Sequence, residues 1–150
     1  MTIEPSEADR VLREFIAALN QWQRDLYLRW RLDKYEFTGK SLRAGARERS
    51  SEELADDWAR LASRFVSPSC RLHSSPPEVI SSPPVFDGAE ARPFVVVAEN
   101  EPDTAVFELT ASLNARFRFV MRKGTIAWLV HDLLSPPDSS DEPWQQGHVV

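Results

Sequence analysis

Three histidines, one cysteine and 23 acidic residues are the material from which this 150-residue chain could build chemistry. His131-Asp132 is the one adjacent acid–base couple. Successive side chains of a strand point to opposite faces, so the two cannot serve one substrate without a bulge, and a strand end turning polar at solvent accounts for them. His73 lies in a Pro/Ser-rich segment and meets His131 only through tertiary folding. As a metal pair they have no third ligand at a recognisable spacing, so no metal is expected. They remain the pocket candidates if the fold encloses a ligand. His148 belongs to the C-terminal tail. Cys70 could be a nucleophile, but no base lies near it in sequence, and a semi-buried, inert thiol is expected. A single cysteine excludes an internal disulfide. The chain contains no phosphate loop, zinc pattern, nucleophile elbow or dinucleotide fingerprint, so neither a cofactor nor catalysis is expected.

Charge points to docking rather than to chemistry. Glu99, Glu101 and Asp103 cluster in "AENEPDTA", read as a loop between two strands, and offer a surface for a basic protein partner. A second acidic group, Asp138, Asp141 and Glu142, is in the tail. Arg116, Arg118, Arg122 and Lys123 alternate with aromatics, superficially like a nucleic-acid-binding sheet. Alternation places those aromatics on the other face, and the net charge of −5 opposes a polyanion, so no nucleic-acid partner is expected. The start "MTIEPSEADR" has no basic stretch leading into an apolar one, and no run approaches a membrane span. A soluble cytoplasmic protein without membrane contact is the expectation.

Positioning these groups requires a layered fold. In "ARFRFVMRKGTIAWLVHDLL" a two-residue turn at Lys123-Gly124, with Gly124 at positive φ, would pair Met121 with Ile126, Phe119 with Trp128 and Phe117 with Val130 on one apolar face. The other face, carrying Arg116, Arg118, Val120 and Arg122, is mixed and basic, and could serve a homodimer. From Val11 to Trp30 apolar residues recur at steps of three and four, with Ser6 and Asp9 available as caps, which predicts a helix of about seven turns. "SSEELADDWARLASRFV" predicts a second helix, opening with an acidic first turn on the capping-box pair Ser50 and Glu53. Between Ser67 and Pro93 six of the eleven prolines exclude helix and predict short edge strands or extended segments around Cys70 to His73 and Val85-Phe86. "PFVVVAE", "TAVFELTA" and the hairpin complete a four-strand antiparallel meander. The fold class is α+β, one domain over 1–134 whose sheet is covered by the N-terminal helix, followed by a Pro/Ser/acid-rich tail over 135–150 from which Trp144 could dock back.

Three stretches, "FIAALNQWQRDLY", "SSPPVFDGAEARPFVVVAENEPDTAVFEL" and "RFRFVMRKGTIAWLVHDLL", together resemble the NTF2-like immunity proteins of bacterial polymorphic toxin systems, including those paired with Rhs toxins. The resemblance spans roughly residues 8 to 134. It implies a cone, in which a strongly bent antiparallel sheet is wrapped by N-terminal helices. It also implies a non-catalytic function, binding and neutralising one cognate toxin domain made by the same cell. Enzymes with this fold, such as isomerases and dehydratases, use Asp, His and Tyr inside the cone. Here the inward face reads Phe, Met, Ile, Trp and Val, which disfavours the enzyme or small-ligand alternative.

Overall fold

The helical periodicity is realised as α1 (Glu7–Glu36), which buries Ala8, Leu12, Phe15, Ile16, Leu19 and Trp22 along one stripe and packs Val11 and Leu26 at its margin. The computed structural model describes residues 7–36, 44–75, 84–101, 103–111, 115–136 and 144–146, with backbone alone for 28–36, 44–51, 98–101 and 145–146. Ser6 and the Trp30 side chain therefore lie outside the described residues. Asp9 is in the first turn and pairs with Arg13 four residues on.

The second helix, α2 (Ala44–Phe65), starts before Ser50. The Ser50–Glu53 pair is thus inside the helix, and the first turn holds no acid. The upstream Ala44, Ala46, Arg47, Glu48 and Arg49 are strong helix formers, and their propensity carries the helix past the apparent cap. Leu54, Trp58, Ala62 and Phe65 are buried as the periodicity predicts, with Leu61 at the margin. The two helices lock through Trp22 and Trp58, whose rings are 5.1 Å apart. Each indole N–H is satisfied by a carbonyl, Trp22 by Leu54 and Trp58 by Leu72, both at 3.0 Å.

The sheet is an antiparallel meander in sequence order: β1 (Val95–Glu101), β2 (Thr104–Thr110), β3 (Arg116–Lys123), β4 (Trp128–Ser135) and a short β5 (Gln145–Gln146) contributed by the tail. Ala105, Phe107 and Leu109 of β2, Phe117, Phe119 and Met121 of β3, and Val130 and Leu133 of β4 face inward. α1 lies on that face, with Phe15 edge-on to Phe119 at 6.2 Å. The class is α+β, with the N-terminal helix packed on the sheet. Among the described residues no helix is long and apolar enough to cross a membrane.

The β3–β4 register differs from the tight-turn expectation. Lys123 pairs with Trp128 and Met121 with Val130, and the Gly124 N–H donates to the Ala127 carbonyl, so the turn spans residues 124–127 rather than two residues. A longer turn does not require positive φ at its glycine, and Gly88 is the glycine at φ 78°. Ile126, expected inside, is 96 % exposed at the turn, and Trp128 is half-buried. Farther along, Val120 pairs with Asp132 although Met121 pairs with Val130, which leaves His131 as the extra residue of a bulge. The bulge changes the phase of β4, so that Leu133 comes inward opposite Phe119.

Among its described residues the proline-rich segment forms no edge strands. It follows an isolated bridge from Val66 to Val130 and contains a 3₁₀ turn at Arg71–His73 and another at Ala89–Ala91. Around Phe86 its backbone N–H groups bond locally, Asp87 N–H to Pro84, Ala89 to Phe86, Ala91 to Gly88 and Arg92 to Ala89, while Ser67 N–H donates across to the Val130 carbonyl at 2.9 Å. This is how a stretch short of N–H donors satisfies its backbone without a ladder. The product is a loop that inserts Phe86, fully buried, between α1 and the sheet, 5.2 Å from the Phe117 ring and 5.4 Å from that of Phe119.

Removal of this wedge is the most informative test of the packing. Phe86→Ala is expected to destabilise by about 3–5 kcal/mol through lost burial and a cavity, whereas Ile126→Ala leaves the melting temperature unchanged. Denaturant unfolding of both variants measures the contrast, and equal effects would refute the placement of either side chain.

Candidate functional site

α1 carries a polar row beside its apolar stripe, and that row fixes where the sheet begins. The Arg13 guanidinium donates to the carbonyls of Glu90 at 2.9 Å and Arg92 at 2.7 Å, is paired with Asp9 at 2.6 Å, and lies 4.0 Å over the Phe94 ring. Two turns on, the buried Asn20 amide donates to the Phe86 carbonyl at 2.9 Å and to Glu90 Oε2 at 2.8 Å. Arg24 completes the row with Asp87 at 2.6 Å. The loop and the first residues of β1 are thereby held as one piece against the helix. Asn20 was legible as a polar residue four positions after Ile16 within an apolar stripe; its partners were not.

The other end of β1 is the candidate interaction site. Glu99 and Glu101 are strand residues rather than loop residues, with Glu101 paired to Thr104, and their side chains lie outside the described residues. The alternating acids read as a loop because their polarity resembles one. An edge strand, half in water, accommodates them equally well. Asp103 is exposed in the turn that follows. Its carbonyl accepts the Lys123 N–H at 2.8 Å, which ties the β1–β2 turn to the β3–β4 turn. One end of the sheet therefore presents Asp103, the exposed cations Arg122 and Lys123, and Ile126 projecting almost entirely into solvent. An apolar tip rimmed by charges has the composition of a protein-contact site. Sequence reasoning missed Ile126 because it assigned the hairpin a tighter turn.

The outer sheet face is less basic than its sequence. Glu108 holds Arg118 at 3.1 Å and lies 3.9 Å from Arg116, and the Trp144 ring roofs Arg118 at 4.0 Å. Gln145 and Gln146 add β5 beside Ser135 and Leu134. The tail thus covers part of this face with its own residues.

His73 ends a 3₁₀ turn and His131 occupies the β4 bulge, both half-buried. Asp132 accepts the Leu133 N–H at 2.9 Å. Among the described residues no three His, Cys, Asp or Glu side chains gather closely enough to hold a metal ion. His148 lies outside the described residues. Cys70 is buried, and burial raises its thiol pKa above the ordinary value, with Asp132 adding to the shift. A raised folded pKa means that the unfolded chain loses the proton first. The stabilisation is complete below the unfolded pKa and is lost as pH rises above it. Unfolding free energy is therefore expected to decline above about pH 8.5, and Cys70→Ala to flatten that decline. Chemical denaturation across that window compares the two proteins, and parallel curves would exclude a buried thiol from the pH response.

Compared with known proteins, the chain matches no family model, no curated protein and no solved structure.

Proposed function

We propose that this chain is an NTF2-like immunity protein that acts in the cytoplasm, where it binds a cognate polymorphic toxin domain and neutralises it by contact alone. The observation that carries the reading is the sheet end, where a fully projecting Ile126 sits beside the acidic β1–β2 turn at Asp103. An exposed isoleucine on a tied-down turn is an anchor for a pocket in a partner. Asp103, with Glu101 and Glu99 preceding it in the chain, supplies the charge that draws a cationic partner towards it. The antiparallel meander beneath α1 and the sequence resemblance over residues 8 to 134 support the same family reading. Closure of the helices around the sheet into a cone belongs to the proposal.

Co-expression with the toxin encoded next to this gene, scored by growth, tests the function. Ile126→Asp is expected to weaken toxin binding by about tenfold or more, chiefly through faster dissociation. Asp103→Lys should instead slow association, and the effect should shrink as salt rises. His73→Ala and His131→Ala should still rescue growth. Neutralisation that withstands both sheet-end variants but fails with either histidine variant, the fold remaining intact, would replace contact by chemistry.

A further inference from the structure

The outer edge of β1 has no neighbour among the described residues, and it is unusually apolar for an edge. Val95, Val96 and Val97 are 60 %, 53 % and 38 % exposed. By register, Val95 lies opposite Glu108 on the outer side of the sheet and Val96 opposite Phe107 on the inner side, so both sides of this edge are open. Apolar edges recruit another strand unless something covers them, and here the regular part of the edge ends at Val96, the register with β2 being irregular between Val96 and Ala98 and again between Ala98 and Glu101. The segment is also rigid at its start, since Arg13 fixes the Glu90 and Arg92 carbonyls and stacks on Phe94 just before the valines.

The charges flanking the valines indicate what covers them. Exposed Arg92, whose guanidinium donates to the Asp87 and Gly88 carbonyls of its own loop and is paired with no carboxylate among the described residues, precedes the run, and Glu99 and Glu101 follow it. A strand that is basic at its start, apolar in its middle and acidic at its end is complementary to itself when read in the opposite direction. Antiparallel pairing centred on Val96 sets Val95 of one copy opposite Val97 of the other, and turns the Arg92 end of each strand towards the end that carries Glu99 and Glu101 in the second copy. A parallel partner, or a copy slipped by several residues, loses this match.

We propose that two copies of the chain associate edge to edge through β1, centred on Val96, forming one continuous sheet about a two-fold axis. Such an interface is isologous, each copy offering the same patch. It leaves both turns at Asp103 and Ile126 at the two far ends of the joined strands, so each copy keeps its sheet end for another partner. The contact is narrow, one strand wide, and belongs to the weak end of interface sizes, so dimer and monomer exchange with concentration.

Sedimentation of the full chain from about 1 to about 200 μM should shift from one chain's mass towards twice that mass, the range in which small interfaces associate. Val96→Lys should stay monomeric throughout with an unchanged far-UV spectrum and melt, because the position is more than half exposed, while Val96→Ile should dimerise like wild type. Val96→Cys gives the register directly. Opposed Cα atoms in an antiparallel pair are about 4.5–5.5 Å apart, within disulfide reach, so mild oxidation should cross-link this variant. Ile126→Cys, more exposed but at the far end, should not cross-link. A wild-type chain that is monomeric at every concentration overturns the proposal. So does a dimer that survives Val96→Lys, which would place the contact elsewhere, for example on the outer sheet face. Equal cross-linking of Val96→Cys and Ile126→Cys would reduce the effect to collision and refute the register. None of these outcomes depends on the toxin, so the dimer and the immunity reading stand or fall separately.

Discussion

The buried contact of Phe119 with Phe15 above it and Phe86 beside it is the constraint around which the chain is arranged. A four-strand meander with one apolar face is not stable in water until that face is covered, and a single helix is too narrow to cover it. α1 supplies the ridge, α2 flanks it through Phe65, 5.9 Å from the Phe15 ring, and the remaining gap is filled by a loop rather than by a third helix. Phe86 can fill it because the prolines before it and Gly88 at positive φ after it allow a tight reversal at the core surface.

A loop that inserts one aromatic ring into a core needs a reason to stay in one place. The polar row on α1 provides it. Asn20 is buried, and turning its amide over would set its oxygen against the Phe86 carbonyl and the Glu90 carboxylate, so its orientation is determined by its partners. The cost is that Asn20 Oδ1 has no donor among the described residues, and a buried acceptor left so costs about 1–3 kcal/mol. A leucine there would avoid the penalty but would leave the Phe86 carbonyl unsatisfied and the loop's position unspecified. Arg13 extends the same logic to β1 by holding the loop carbonyls of Glu90 and Arg92 and stacking on Phe94. The first strand therefore starts from a fixed point, although it forms the outermost part of the sheet.

How much of this could be read from residues alone depends on whether a local pattern or a distant partner decides each element. The stripe of α1, the burial of Leu54, Trp58, Ala62 and Phe65 and the inward set Phe117, Phe119 and Met121 follow from periodicity, which is a property of neighbouring residues. The β4 phase does not. The position of a bulge at His131 depends on which residues of β3 it must face, and the inserted residue brings Leu133 inward in place of Asp132, while the longer turn puts Ile126 in solvent. The start of α2 lies upstream of the capping-box spacing because the residues before Ser50 are good helix formers and carry the helix back to Ala44. In the candidate site, the acidic group was visible as a cluster. Its tie to the β3–β4 turn through Asp103 and Lys123, and the projection of Ile126 beside it, arise from pairing across strands distant in sequence.

The distribution of ion pairs sets the field that any partner meets. Arg13 is paired with Asp9, Arg24 with Asp87, Arg60 with Asp57, Arg64 with Glu14, and Arg116 and Arg118 with Glu108. Pairs as exposed as most of these contribute little to stability, usually below about 1 kcal/mol each. They matter for where charge is left over. Because these cations are spent on acids of their own chain, the field at the sheet end is set by the charges left over there, Asp103 on one turn and Arg122 and Lys123 beside the other. An anionic turn next to a projecting apolar side chain separates two roles, the field governing how fast a cationic partner arrives and Ile126 governing how long it stays. Edge pairing through β1 would sharpen this division. Glu99 and Glu101 would be drawn towards Arg92 of the second copy, leaving the turn at Asp103 as the acidic feature that a third molecule meets first.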